Sequence, residues 1–361
     1  MIQRTMLCLF MILWVGAGGI SRADQPEEGP LLTKELRTDM EDAVDRGLKY
    51  LRSQQAEDGA WSHSVGITAL VVKAFMESPR KYTEEDGPFI RKPLEYIAGK
   101  AKANGAIYDQ GLEVYNTSVC LMALEHSGNP KYKTLVEKAR KYLVKVQSDE
   151  GEGYAKKDKF YGGIGYGSDE RPDLSNLQWA LEALKASDLP VNAPTWEKAI
   201  RFIQRTQNRS ESNDQAWAAN DGGFVYYPGN SKADGTRSYG SMTYAGLLSF
   251  IYANVDKNDP RVQSAYQWIR NHYTVEENPM MGHQGLYYYY HTFSKTLRAY
   301  GEPYVVDAQG VQHNWREDLA RKILSLQKEE GYWVNDNGRW WESDKTLVTA
   351  YTVTALSYLL E

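Results

Sequence analysis

The strongest constraint on this chain is a two-helix unit written six times. Aligned on the residue seven positions before an Ala-Leu-like end, the second helix of each unit reads Thr68–Phe75, Thr117–Leu124, Leu177–Leu184, Thr243–Phe250, Phe293–Tyr300 and Thr349–Leu356. An amphipathic helix precedes each one, over Ala43–Gln54, Ile90–Lys102, Val136–Gln147, Trp196–Gln207, Val262–His272 and Trp315–Gln327. One helical hairpin cannot bury its own apolar face, so neighbouring copies must cover one another, and a closed ring does this without capping ends. The expected fold is all-α: an (α/α)6 toroid, twelve helices in two concentric layers around a central cavity.

The first unit shows how the layers divide. Ala43, Leu48 and Leu51 recur at near-helical spacing while Lys49 and Arg52 face water, as in an outer helix. Gln55-Ala-Glu-Asp-Gly59-Ala-Trp61 then stops the helix, because Gly59 can take a positive φ. The next stretch, Ile67–Met76, is apolar nearly all round, as befits an inner helix lining the cavity. The same turn returns as Gln327-Lys-Glu-Glu-Gly331-Tyr-Trp333, and in degraded form at Gln147 to Gly153 and at Gly222-Gly223-Phe224. The Gln is expected to bond unpaired amides at the next helix start while the Trp covers the joint.

Residues 1–23 carry Arg4, an apolar run and Ser21-Arg22-Ala23, the pattern of a secretory signal cleaved after Ala23. Residues 24–40 are expected to be a flexible lead-in and 41–361 the toroid. The protein is thus expected to be exported, periplasmic or secreted. No later stretch is apolar for long enough to span a bilayer. Cleavage would leave Cys120 as the remaining cysteine, with no internal disulfide. A net charge of −5 without a basic stripe argues against a nucleic-acid partner. Aromatic residues favour polar-tipped rings, 26 Tyr and 10 Trp against 8 Phe. That bias suits a somewhat polar cavity better than one for a pure hydrocarbon.

The twice-intact Gln-x-x-x-Gly-x-Trp turn, with the Thr-Ala-x-x-x-x-Ala-Leu inner helix, resembles the prenyltransferase/squalene oxidase repeat. That repeat is shared by squalene–hopene cyclases and protein prenyltransferase β subunits. The resemblance implies a terpenoid-cyclase-like toroid and an isoprenoid or lipid ligand. Cyclases of this kind protonate an alkene with Asp-x-Asp-Asp-Thr before one inner helix. The matching slots here include Ser64–Thr68, Glu113–Thr117 and Lys345–Thr349, and none keeps the full acid set. The nearest, Asp173-Leu-Ser-Asn-Leu177, retains one Asp. The prenyltransferases bind zinc through Asp, Cys and His. Here His291-Thr292 stands out of register, and Cys120 lies inside an inner helix, so neither a metal nor another cofactor is expected.

Asp173, His291 and Asp344 are the candidate acid–base groups, and Tyr115, Tyr239, Tyr289, Tyr290 and Trp341 the candidate ligand contacts. Ser175 to Gln178 reads as a capping box, a structural role for the same segment. Helical phase lets only some rings of Tyr287 to Tyr290 face inward. Six inner-helix N-termini at one mouth would form a ring of partial positive charge suited to an anionic head group. The long connections Asp149–Asp173 and Ser210–Tyr239 should surround that mouth. The expected partner is a small or medium ligand, isoprenoid or lipid-like. The alternatives are a non-catalytic scaffold with fully paired carboxylates, or a carbohydrate-active ring using Glu113, Asp173 and Glu342.

Overall fold

The computed structural model describes residues 31–167 and 171–361. Among the described residues, twelve α-helices run in outer–inner pairs: α1 Lys34–Ser53 and α2 Val65–Glu77, α3 Pro88–Gly99 and α4 Glu113–His126, α5 Lys133–Lys145 and α6 Leu174–Ala186. They continue as α7 Pro194–Thr206 and α8 Gly240–Tyr252, α9 Pro260–Asn271 and α10 Leu286–Tyr300, α11 Trp315–Leu326 and α12 Lys345–Leu360. Each even-numbered helix packs on the next, and α12 closes on α2. The result is the closed (α/α)6 toroid that the repeat implies.

Burial follows the sequence pattern. In α1, Leu36, Met40, Ala43, Val44, Gly47, Leu48 and Leu51 form one buried stripe, the face of an amphipathic helix. Nearly every residue of α2 is buried, as is nearly all of α8 and α12. The outer helices lie against this inner ring, α3 on α2, α5 on α4, α9 on α8 and α1 on α12.

The turn motif acts as a staple between units. Gln55 Nε2 donates to the carbonyls of Gly59 (3.1 Å) and Phe89 (3.0 Å). Gln207 bridges Gly222 O to Arg261 O of the next outer helix in the same way, and Gln147 bridges Gly162 O to Thr195 O. The third unit's turn glycine is therefore Gly162 rather than the expected Gly151 or Gly153, an insertion separating it from Gln147. In the last unit Gln327 Nε2 reaches Gly331 O and Ala43 O, both at 2.9 Å. The expected bond to free amides is therefore corrected. The carboxamide N–H donates to carbonyls, whose second lone pair remains available within a helix. Trp61 and Trp333 are fully buried and donate Nε1–H to Leu51 O and Ile323 O.

The aligned threonines also have a shared function. Thr68, Thr117, Thr243 and Thr349 each accept, through Oγ1, the backbone N–H of Trp61, Ile107, Phe224 and Trp333 respectively, at 2.9–3.1 Å. Each ties the incoming loop to the first turn of its inner helix.

Two features depart from the sequence reading. Helix α1 starts at Lys34, inside the expected lead-in, because Thr33 caps it and Leu36 and Met40 are buried. The proposed signal and residues 24–30 lie outside the described residues. A short antiparallel hairpin, β1 Val305–Val306 with β2 Gln312–His313, joins α10 to α11.

Inner-helix C-terminal halves close one end of the ring with buried charge. Lys73 pairs with Glu77 at 2.6 Å, and Tyr358 Oη donates to Glu77 at 3.1 Å. Lys295 pairs with Glu182, which also accepts from Gln178 Nε2 at 3.0 Å. The other end is open.

Candidate functional site

At the N-terminal end of the inner helices lies a chamber of about 850 Å³. Its aromatic lining includes Tyr115 of α4, Trp179 of α6, Tyr288 of α10 and Tyr351 of α12, with Tyr166, Tyr226 and Tyr239 from loops and loop ends. The Tyr115 ring meets Trp179 edge-on at 5.7 Å, and Tyr288 lies 6.5 Å from Trp179 and 6.3 Å from Tyr351. Hydroxyls inside the chamber pair with one another: Tyr115 with Tyr351 at 3.1 Å, Tyr166 with Tyr226 at 3.3 Å, and Ser175 with Tyr288 at 3.4 Å. Mutual pairing lets phenols line an apolar space without stranding their polar ends.

The rim is formed by the loop before α12. Trp340 and Trp341 line the mouth with φ of 56° and 63°, the left-handed region that bulky residues rarely adopt. The Trp340 ring lies on Gly285, where an added Cβ would come within 2.9 Å of it. Trp341 is 62 % exposed.

Every inner-helix N-terminus at this mouth is already met by protein. Asp109 Oδ2 accepts from Val65 N at 3.0 Å on α2, and the Tyr166 carbonyl accepts from Val114 N at 2.9 Å on α4. Asp173 caps α6 through Asn176 N (2.9 Å), and Asn278 takes Ser241 N of α8 (2.8 Å). Glu342 accepts from Tyr288 N (2.8 Å) and Tyr287 N (3.3 Å) on α10. Asp344 accepts from Thr346 N (2.8 Å) and Leu347 N (3.0 Å) on α12. The expected ring of open positive helix ends is thus corrected. Four carboxylates occupy that role, each in the position where a helix dipole favours an anion.

Asp173 is 2 % exposed and does not line the chamber. Burial pushes its pKa up to about 6, against the pull of its bonds to Asn176 and Tyr226. Asp173 is itself the N-cap, so the capping box at Ser175 is not formed. His291 is also 2 % exposed, one helical turn beyond Tyr288. Its ring stacks on Trp179 at 5.5 Å and neither nitrogen makes a hydrogen bond. Burial, then Lys295 and Lys73, hold its pKa well below the usual histidine range. Asp344 lines the chamber, half-buried and capping α12.

Of the expected ligand contacts, Tyr115, Tyr239 and Trp341 line the chamber. Tyr289 and Tyr290 do not: their hydroxyls donate to Thr274 O (2.7 Å) and Val275 O (2.8 Å) at the start of the preceding loop. The phase of α10 turns Tyr288 to the axis, on the stripe that continues to His291 and Lys295. Sequence reasoning missed Trp179, Tyr226, Tyr288 and Tyr351 and named Glu342 for charge alone. The sequence carried no signal that separated Tyr288 from its neighbours, because the burial of Lys295 that fixes the phase of α10 is visible only in the structure.

Glu342 is 1 % exposed and lines the chamber. Asn335 Nδ2 donates to it at 2.6 Å, besides the two α10 amides. Burial still pushes its pKa up to about 7. Asp109, Glu342 and Asp344 are the carboxylates lining the chamber among the described residues, and each is engaged as a helix cap.

Residues 62–227 match the squalene–hopene cyclase C-terminal domain family. A probable squalene–hopene cyclase of Sinorhizobium fredii is 23% identical over 166 residues, 43% of this chain and 23% of its own length. The chain therefore spans about a quarter of that curated relative. A variant of the type II terpene cyclase MstE from Scytonema, in complex with geranylgeranyl dihydroxybenzoate, superposes with a TM-score of 0.57 at 12% identity. It covers 91% of this chain and 99% of that one. A family 76 glycoside hydrolase from a bovine Bacteroides thetaiotaomicron strain gives 0.57 at 13% identity, over 89% of this chain and 77% of that one. The rings therefore share a fold across two chemistries, and fold alone does not choose between them. Over residues 62–227 the chain is similar in sequence to the squalene–hopene cyclase C-terminal domain, and its described residues form an (α/α)6 toroid, the fold found in both the terpene cyclase and the glycoside hydrolase.

Proposed function

We propose that this protein is an isoprenoid- or lipid-binding toroid that holds the apolar body of its ligand in the aromatic chamber. The observation that carries this reading is the floor of Tyr115, Trp179, Tyr288 and Tyr351, four rings from four inner helices around one open space. Such rings supply apolar area and π-faces, while their paired hydroxyls ask little of the ligand. The likeness to a cyclase ring holding a geranylgeranyl compound supports the same ligand class.

The carboxylates favour binding over alkene protonation. An acid able to protonate carbon must present a proton to the chamber. Asp109, Glu342 and Asp344 instead direct oxygens at helix N–H groups. The same commitment disfavours the carbohydrate reading, which needs a pair of carboxylates facing a sugar. Asp109 and Glu342 engage both oxygens with protein N–H groups, which leaves Oδ2 of Asp344 as the one lining carboxylate oxygen without such a bond among the described residues. Export is part of the proposal, on the signal-like pattern of residues 1–23.

Solvent extraction and mass spectrometry of the purified full chain test the ligand class. A polyprenoid or other lipid in stoichiometric amount is the expected result. A co-purifying oligosaccharide, or a protein that takes up neither geranylgeraniol nor a fatty alcohol in native mass spectrometry, would overturn the proposal. The mass of the N-terminal peptide recovered from an exporting host tests cleavage after Ala23.

A further inference from the structure

Three cationic side chains stand along one arc of the mouth. Lys232 Nζ lies 4.5 Å from the centre of the Tyr226 ring, and the Arg171 guanidinium 4.5 Å from that of Tyr227. The Arg339 guanidinium lies 4.2 Å from the centre of a Trp340 ring. Tyr226 and Trp340 line the chamber, and the Tyr226 and Tyr227 rings meet at 5.9 Å. The aromatic faces hold these cations beside the opening, where cation–π attraction offsets part of their freedom to swing into bulk water.

Among the described residues the counter-charge felt by Arg171 and Lys232 is the buried carboxylate of Asp173. None of the three cations forms an ion pair among those residues. Lys232 senses both arginines: burial, then Arg171, then Arg339, hold its pKa below the usual lysine value. The carboxylate that acts on Lys232 in return is Asp173. That group is buried, with one oxygen on Asn176 N and the other on Asn176 Nδ2 at 2.7 Å. Arg339 also donates to Gln284 Oε1, a neutral acceptor. Like charges gathered at an apolar opening are favourable once an anion joins them.

We propose that Arg171, Lys232 and Arg339 receive the anionic end, phosphate or carboxylate, of an amphiphile whose apolar body fills the aromatic chamber. This deepens the function proposed above and rests on it for the apolar body. The helix N-termini contribute little here, since protein groups already occupy them. Recognition comes from side chains, so it is removable by substitution without touching the inner ring.

The test uses the full chain and three twenty-carbon ligands that differ at one end: geranylgeraniol, geranylgeranyl monophosphate and geranylgeranoic acid. Calorimetry at low salt should show at least one anionic ligand binding about tenfold or more tighter than the alcohol. A gain for the phosphate alone, the acid alone, or both identifies the source of the charge. The gain should shrink to within about twofold in Lys232→Met and in Arg171→Met/Arg339→Met, and largely vanish at about 0.5 M salt. Affinity for the alcohol should stay at the wild-type value in both variants, which shows that the chamber is intact. Lys232→Arg should restore most of the gain.

Equal affinity for all three ligands overturns the inference and leaves the chamber reading standing. So does an anionic gain that survives in both variants. Inorganic pyrophosphate, titrated alone against tryptophan fluorescence, separates the two proposals in the other direction. If no isoprenoid binds, yet pyrophosphate binds the wild type and not Lys232→Met, the anion site stands and the ligand body is misassigned. If pyrophosphate and all three ligands fail, both fall.

Discussion

Glu342, in the loop before α12, accepts the backbone N–H of Tyr288, the third residue of α10, at 2.8 Å. One buried carboxyl thus fixes the start of a neighbouring inner helix and the rim that covers it. Burial raises its pKa from 4.5 to about 7. The folded protein therefore binds its proton more readily than the unfolded chain does. The resulting stability is fully present below pH 4.5 and is lost as pH rises through 7. Over the whole window it amounts to roughly 3 kcal/mol. Melting temperatures of the wild type should fall between pH 4.5 and 7.5, and Glu342→Gln should flatten that slope. An unchanged slope in the variant would remove Glu342 as its source.

Chamber and scaffold aromatic rings should separate in binding assays. Trp179→Ala removes a floor ring and should weaken geranylgeraniol binding by about tenfold or more. Tyr289→Phe removes a bond to Thr274 O and should cost about 1 kcal/mol of stability with binding unchanged. Equal effects of both variants on affinity would contradict the division between rings that line the chamber and rings that hold the scaffold.

The buried pair Lys295–Glu182 offers a double-mutant cycle. Lys295→Met leaves Glu182 in the closed end of the ring without its cation, at a cost of about 3–5 kcal/mol. Lys295→Met/Glu182→Met should recover most of that loss, because two apolar groups strand no charge. Chemical denaturation of the four proteins reads the coupling. Additive losses would show that the pair acts as two independent residues.

Glycines of the staple turn should be far less replaceable than glycines elsewhere with the same backbone. Gly162 has φ of +85°, and an added Cβ would lie 1.8 Å from Lys198 O. Gly301 has φ of +84° with open space around it. Gly301→Ala should cost about 1 kcal/mol, the left-handed penalty alone. Gly162→Ala should cost more than about 3 kcal/mol or prevent folding, since a carbonyl of α7 must move. Similar melting points for the two variants would contradict the close approach.

Much of this architecture is legible in the sequence because a repeat carries its own redundancy. Six degraded copies of one hairpin fix the helix count, the layer each helix occupies, and the end at which the long loops gather. The same redundancy exposes Thr68 and its equivalents, whose shared hydrogen bond explains why that position aligned. The site was less legible. Whether Tyr288 or Tyr289 faces the axis depends on about 100° of helical rotation, which a run of four tyrosines conceals. Glu342 and Asp344 sit two residues apart and cap different helices, a relationship between distant segments that local pattern cannot contain. Asp173 shows the converse: its place before an inner helix was readable, whereas its burial depended on Tyr226 from another unit.

Closure of α12 on α2 joins segments almost three hundred residues apart, as in the contact of Lys73 Nζ with Tyr358 Oη at 3.3 Å. During synthesis the first five units can stack progressively, but the seam waits for α12 to leave the ribosome. Until then α2 exposes the apolar flank that α12 will cover. A nascent chain of this topology should therefore lean on chaperones until α12 emerges, and a truncation just before α12 should be as damaging as one early in the ring. By the same geometry, a circular permutant opened in an outer loop and joined across the seam should still assemble.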